Sequence, residues 1–203
     1  MAIRRTGVPL ATICLLLIAS TSMVAGCQSV SGASGEFVSP YLRLRLCDGA
    51  ARLETGGVTS DWTLDDHISI EQSTRITADA SEGSRLCLSD GSELVLERGA
   101  AIEVKKAAVF PHLQVAPLEG SFRFETEKSS HPIEFLLPNC ATTPLSVPAT
   151  FTFASKDEDF CLLVEEGAAS SVLPDRTVRL FPGQELCANP GRDPEVRELS
   201  GMQ

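Results

Sequence analysis

An all-β fold of many short, mostly antiparallel strands, arranged as a two-sheet sandwich or roll, is predicted by three observations. Apolar and polar residues alternate with a period of two through most of the chain, as in Leu42-Arg43-Leu44-Arg45-Leu46. Such runs recur about every 8–12 residues with turn residues between them, the rhythm of an all-β domain. No window keeps apolar residues three and four apart over three helical turns, so little or no helix is expected beyond the first residues.

Those first residues stand apart from the domain. Arg4 and Arg5 precede an apolar run from Val8 to Ala19 that contains Pro9. About 20 apolar residues are needed to cross a bilayer as a helix, whereas the core of an export signal takes roughly 7–15. The run therefore reads as a secretory signal. At its end Val24-Ala25-Gly26-Cys27 sets small residues directly before a cysteine. This resembles the lipobox of bacterial lipoproteins, with residues 1–26 as the signal peptide. The resemblance implies that Cys27 receives a diacylglycerol on sulfur, that the signal is cut before it, and that the new amino terminus is acylated by a fatty acid such as palmitate. An ordinary signal cleaved nearby, with a structural Cys27, is the alternative. Several acyl chains, each contributing about 0.8 kcal/mol per buried methylene, hold a protein to a membrane far more firmly than one. Gln28 stands where lipoproteins kept at the inner membrane often have Asp, so the resemblance points to the outer membrane, facing the periplasm.

Of 203 residues, 177 remain after the first 26. Loss of Arg4 and Arg5 takes the 17 basic residues to 15, against 27 acidic ones, a formal net charge of −12. One domain with tails is expected. An acidic surface repels phosphate backbones and anionic headgroups, which excludes nucleic acid and leaves membrane attachment to the anchor.

Along the chain, residues 27–40 read as a flexible tether, with Ser29, Ser31, Gly32, Ser34 and Gly35. The β domain is expected over 41–188. Its strands begin with Leu42–Leu46 and continue through 67–70, 75–78, 85–88, 93–96, 101–104, 121–125, 132–136, 149–153, 160–164 and 177–181. Thr63-Leu64-Asp65-Asp66 has the spacing of a helix-capping box, but His67-Ile68-Ser69-Ile70 alternates, so Asp65-Asp66 reads as a turn into a strand. Asp90-Gly91 is a strong hairpin signal, because glycine accepts the positive φ of a tight turn between twisted strands. Related glycines at 49, 120, 167 and 183 are read as chain reversals at unequal intervals, not as a fixed-period repeat. Phe122 with Phe124, and Phe151 with Phe153, lie at strand spacing and point to one face. Residues 189–203 form a polar tail expected to be disordered.

Five cysteines remain for the domain: Cys47, Cys87, Cys140, Cys161 and Cys187. None forms a Cys-x-x-Cys pair, which argues against a structural metal site. An oxidising compartment allows up to two disulfides and one thiol left over, and the sequence leaves the pairing open. The three histidines, His67, His112 and His131, are scattered and read as surface or satisfied side chains. No Gly-x-Ser-x-Gly elbow marks a nucleophile, so a hydrolase built on His67 with Asp65 or Asp66 is the weakest reading. Ser155-Lys156-Asp157-Glu158-Asp159 lacks the glycine and distal glutamate of a calcium loop and reads as a solvated hairpin tip. With one Trp (Trp62), one Tyr (Tyr41) and nine Phe, exposed stacking platforms for sugars or single strands are not expected.

The ordered turns and strands resemble the FecR-like domain of bacterial envelope proteins. The residues that carry the resemblance are Ile76-Thr77, then 86–96 around Asp90-Gly91-Ser92 followed by Ala101-Ile102-Glu103-Val104, then Leu118-Glu119-Gly120-Ser121-Phe122, Val164-Glu165-Glu166-Gly167 and Phe181-Pro182-Gly183-Gln184. Ala149-Thr150-Phe151 departs from the family's glycine-threonine before an aromatic strand. The resemblance implies an all-β envelope domain. It does not carry over sigma-factor relay, since no cytoplasmic sigma-binding segment is expected here. The function expected is that of a non-enzymatic envelope lipoprotein without a cofactor, whose β domain binds an envelope protein or cell-wall partner. The alternative is the sensor of an iron-siderophore type signalling system that works with a separate sigma regulator.

Overall fold

The computed structural model describes residues 43–107, 112–127, 133–156 and 159–199. Cys27, the tether, Tyr41, His131, and Asp157 with Glu158 of the acidic tip lie outside them. All described residues belong to the second of two compact units, Phe37–Gln203.

Eighteen strands run through the described residues and the chain passes repeatedly between two sheets. The first sheet receives β1 (Arg43–Gly49), and the second β2 (Ala51–Thr55) and β3 (Val58–Trp62). Then β4 (His67–Ser69) returns to the first, β5 (Thr74–Ala78) joins the second, and β6 (Ser84–Leu88) and β7 (Glu93–Leu96) add a hairpin to the first. The hairpin β8 (Ala101–Lys106) and β9 (Leu113–Glu119) goes to the second, β10 (Ser121–Thr126) to the first, and β11 (Ile133–Leu137) and β12 (Cys140–Pro144) to the second. Next come β13 (Ala149–Lys156) and β14 (Asp159–Glu166) in the first and β15 (Ala169–Val172) and β16 (Thr177–Leu180) in the second. Finally β17 (Gln184–Asn189) and β18 (Arg192–Glu198) close the first.

The sheets run β4-β1-β6-β7-β10-β13-β14-β17-β18 and β3-β2-β5-β8-β9-β11-β12-β15-β16. Each grows almost in chain order, so the fold is a double stack that lengthens from one end to the other. Pairing is antiparallel except between β9 and β11. The all-β expectation holds, and among the described residues no helix is long and apolar enough to cross a membrane.

Period-two patterning puts one apolar set of each sheet into the space between them. In the first sheet, Leu46, Leu86, Leu94, Phe124, Phe151 and Val164 pair successively across six strands. A second row joins Leu96, Phe122, Phe153, Leu162 and Leu186. From the opposite sheet Phe135 enters among four of these rings, 4.5 Å from Phe153 and 5.1 Å from Phe124 between centroids. Polar groups in the core are paired: the hydroxyls of Thr142 and Ser171 lie 2.7 Å apart, and those of Ser92 and Thr126 2.9 Å.

The reversals expected at five glycines all occur, each with positive φ. Four of them, at Gly49, Gly120, Gly167 and Gly183, stand where the chain leaves one sheet for the other; Gly91 alone closes a hairpin within a sheet. At Gly91 the φ is +88°, and Ser92 N–H bonds the Asp90 carboxylate at 2.9 Å. A Cβ added there meets nothing within 4 Å, so only the backbone conformation resists substitution. Gly91→Val is therefore expected to cost about 1–2 kcal/mol and to lower the melting temperature by roughly 2–8 °C. An unchanged melting temperature would contradict the left-handed turn.

The Asp65-Asp66 turn is also present: Asp65 has φ +66°, the Thr63 hydroxyl bonds the Asp66 carboxylate, and β4 follows at His67. Two expectations need correction. Residues 189–203 are not a disordered tail throughout, because Arg192–Glu198 pairs with β17 as an edge strand. Segments without a visible apolar period, among them β3, β12 and β15, are nevertheless strands.

Candidate functional site

The outward face of the first sheet gathers both disulfides and most of the ion pairs of the described residues. Strand alternation that sends leucines and phenylalanines inward sends Asp48, Arg85, Val95, Arg123, Thr152, Leu163, Glu185 and Arg197 outward. Register places these eight as successive neighbours across β1, β6, β7, β10, β13, β14, β17 and β18. The result is one continuous row across almost the whole sheet, with charges of both signs.

Ion pairs hold four of its side chains, Asp48, Arg85, Arg123 and Arg197. Arg123 sits between Glu125 at 3.2 Å and Glu165 at 3.1 Å, and Thr152 donates to the other Glu165 oxygen at 2.6 Å. Arg85 reaches Asp48 at 3.6 Å and Glu93 at 4.0 Å. At the far edge Arg197 holds Glu195 at 2.7 Å, and this bond raises the guanidinium pKa further above its usual value. These partly exposed pairs contribute little to stability, but they order the surface. A groove of about 520 Å³ opens beside Arg85, lined in part by Asp48, Glu82, Glu93 and Glu125. Its lining is strongly acidic.

A disulfide marks each side of this face. Cys47 of β1 is joined to Cys87 of β6, and Cys161 of β14 to Cys187 of β17. The sequence left this pairing open because it depends on which strands become neighbours. Cys140 is the free thiol among the described residues, and it is buried. Loss of hydration pushes its pKa from 9.0 up to about 11. The folded protein thus keeps the proton that the unfolded chain releases near pH 9, and this contribution to stability falls away as pH rises from about 9 to about 11. Cys140 is expected to resist iodoacetamide at pH 8 in the native protein and to be alkylated on unfolding, which mass spectrometry would read out directly.

The two histidines among the described residues, His67 and His112, have separate surroundings. His67 is exposed on edge strand β4, while His112 lies 3.5 Å from Glu134, whose carboxylate also accepts from Gln114 at 2.5 Å. The two aspartates beside His67 are engaged elsewhere, Asp65 facing Arg45 at 3.7 Å and Asp66 binding Thr63. Trp62 is buried and donates from its indole to the Asp66 carbonyl at 3.2 Å, so it presents no stacking face. Among the described residues every buried side-chain nitrogen and oxygen has a hydrogen-bond partner. Cys27 lies outside the described residues.

No family model matches the chain, and no curated protein does. Two crystal structures, at 2.50 and 1.65 Å, of a "putative anti-sigma factor" from Parabacteroides distasonis ATCC 8503 are similar to it, with 17% and 18% identity and a TM-score of 0.48 in both cases. Each likeness covers 61% of this chain, which spans 59% of that protein.

Proposed function

We infer that this protein is a non-enzymatic lipoprotein of the bacterial envelope, held at a membrane by acylated Cys27, whose β domain binds an envelope partner through the outward face of its first sheet. The observation that carries this reading is the row from Asp48 to Arg197. Eight register-aligned side chains on a broad sheet, four of them (Asp48, Arg85, Arg123 and Arg197) held by ion pairs, and flanked by two disulfides, make a preorganised surface, and preorganisation lowers the entropy lost on binding. Charge of both signs suits a protein surface of complementary polarity and selects against wrong partners more than it adds raw affinity. The anchor reading rests on Val24-Ala25-Gly26-Cys27, and it keeps the domain near whatever it binds.

Two measurements test the two halves separately. Cys27→Ala should abolish lipid labelling and release the protein from membranes; a variant still labelled and membrane-bound would sink the anchor. Arg123→Glu, on the full-length chain, should leave the melting temperature within a few degrees while cross-linked partner recovered from intact cells falls sharply. Undiminished recovery of the same partner would remove this face as the binding surface.

A further inference from the structure

We propose that Cys161, Cys187 and Glu185 are the ligands of a thiol-gated zinc site, of which the Cys161–Cys187 disulfide is the closed form. Three facts converge. Cys161 and Cys187 are direct register partners on adjacent strands, with Cα atoms 4.1 Å apart. Glu185 lies two residues before Cys187, so strand alternation brings it to the same face. The donor atoms of all three lie within 4.8 Å of one another, and among the described residues this is where three such donors meet.

The donor set has zinc chemistry. Thiolate and carboxylate oxygen both bind zinc, at about 2.3 and 2.0–2.2 Å, and three protein ligands with an open fourth position describe an exchangeable site. A tetrahedral ion separates its two sulfurs by about 3.8 Å, a span that side chains on directly paired strands with Cα atoms 4.1 Å apart can reach once the disulfide is opened. Rotation about Cα–Cβ on fixed strands supplies the movement. Glu195 lies on the same face as Glu185 and pairs with Arg197 at 2.7 Å, which offsets the charge of the Arg197 guanidinium 3.9 Å from the Cys187 sulfur. Asp159, two residues before Cys161, adds a further carboxylate and is held by Asn189 at 3.0 Å. The other disulfide lacks this convergence, since Glu93, 4.0 Å from Cys87, is shared with Arg85.

Opening the site takes two electrons from a dithiol. One thiolate of the dithiol attacks the half-exposed Cys161 sulfur, the S–S bond breaks, and buried Cys187 leaves as thiolate and takes a proton. The second thiol of the dithiol then attacks the mixed disulfide, freeing Cys161 and leaving the reductant as a cyclic disulfide. Zinc replaces the two thiol protons, which pass to solvent.

The test is titration of the mature chain with zinc(II) alone, after dithiol reduction confirmed by mass spectrometry and anaerobic removal of the reductant. One equivalent should bind, and cadmium(II) in its place should give the ultraviolet charge-transfer absorption of two thiolates. Glu185→Gln, which keeps both thiols, should weaken binding at least about tenfold. The Cys47→Ser/Cys87→Ser variant should bind as the parent does. A disulfide that resists the dithiol, absence of zinc uptake by the reduced chain, or affinity unchanged in both Glu185→Gln and Cys187→Ser would overturn the proposal. Because Glu185→Gln retains the cross-link in the oxidised state, its folding can be checked independently.

Discussion

Replacing Phe135 with alanine is expected to cost the domain about 3–5 kcal/mol of stability. Phe135 is fully buried and is the aromatic side chain that the second sheet contributes to the ring cluster of the first. It lies 6.4 Å from Phe122, 5.1 Å from Phe124, 6.2 Å from Phe151 and 4.5 Å from Phe153, at angles from tilted to edge-on. Truncation removes apolar burial and also opens a cavity whose walls are strands locked by their ladders, so little collapse can refill it. Equilibrium urea denaturation of the two proteins measures the difference. A loss below about 1 kcal/mol would mean that the two sheets do not meet at these rings in solution.

Gly49→Ala is the second large effect, roughly 2–5 kcal/mol, and its cause is different. The residue has φ +75°, and an added Cβ would fall 2.2 Å from the carbonyl oxygen of Gly83. That oxygen accepts from Ala50 N–H at 3.4 Å, so it is fixed by the crossing it serves. Backbone strain and an unavoidable clash therefore add. Gly91 carries only the strain, and the paired comparison separates the two causes: Gly49→Ala should melt well below Gly91→Ala. Equal melting temperatures would show that the approach of Gly49 to Gly83 is looser than described.

Why some of this was legible in the sequence and some was not follows from what each strand buries. Leu44-Arg45-Leu46, Phe122-Arg123-Phe124 and Phe151-Thr152-Phe153 alternate cleanly because one face packs and the other is solvated. In β12 and β15 the buried positions include Thr142 and Ser171, whose hydroxyls satisfy each other, so a core pair reads as polar sequence. Four of five residues of β3 are exposed, and its only large buried side chain is Trp62. β18 reads as a charged tail because an edge strand carries charge and proline that discourage further pairing. Pro194 is its one buried residue.

The candidate face was illegible for a related reason. Asp48 and Arg197 are far apart in the chain and become members of one row only through pairings that skip over intervening strands. Alternation showed that Arg85 and Arg123 point outward, but not that they share a face. The five turn glycines were visible from composition, whereas their role as crossings between sheets needed the topology.

Each sheet ends in edge strands paired on one side only, and local opening is easiest where few contacts hold a segment. The cross-link from β1 to β6 lies one strand in from the β4 edge, and that from β14 to β17 one strand in from the β18 edge. The first ties together strands separated by 40 residues of chain, so it also holds the excursion through β2 to β5 between its feet. The covalent bonds thus act as clasps near both ends of the first sheet, while the aromatic cluster needs none in the middle. Amide exchange should rise outward from the Phe135 layer, and opening either clasp should hasten it on that side alone.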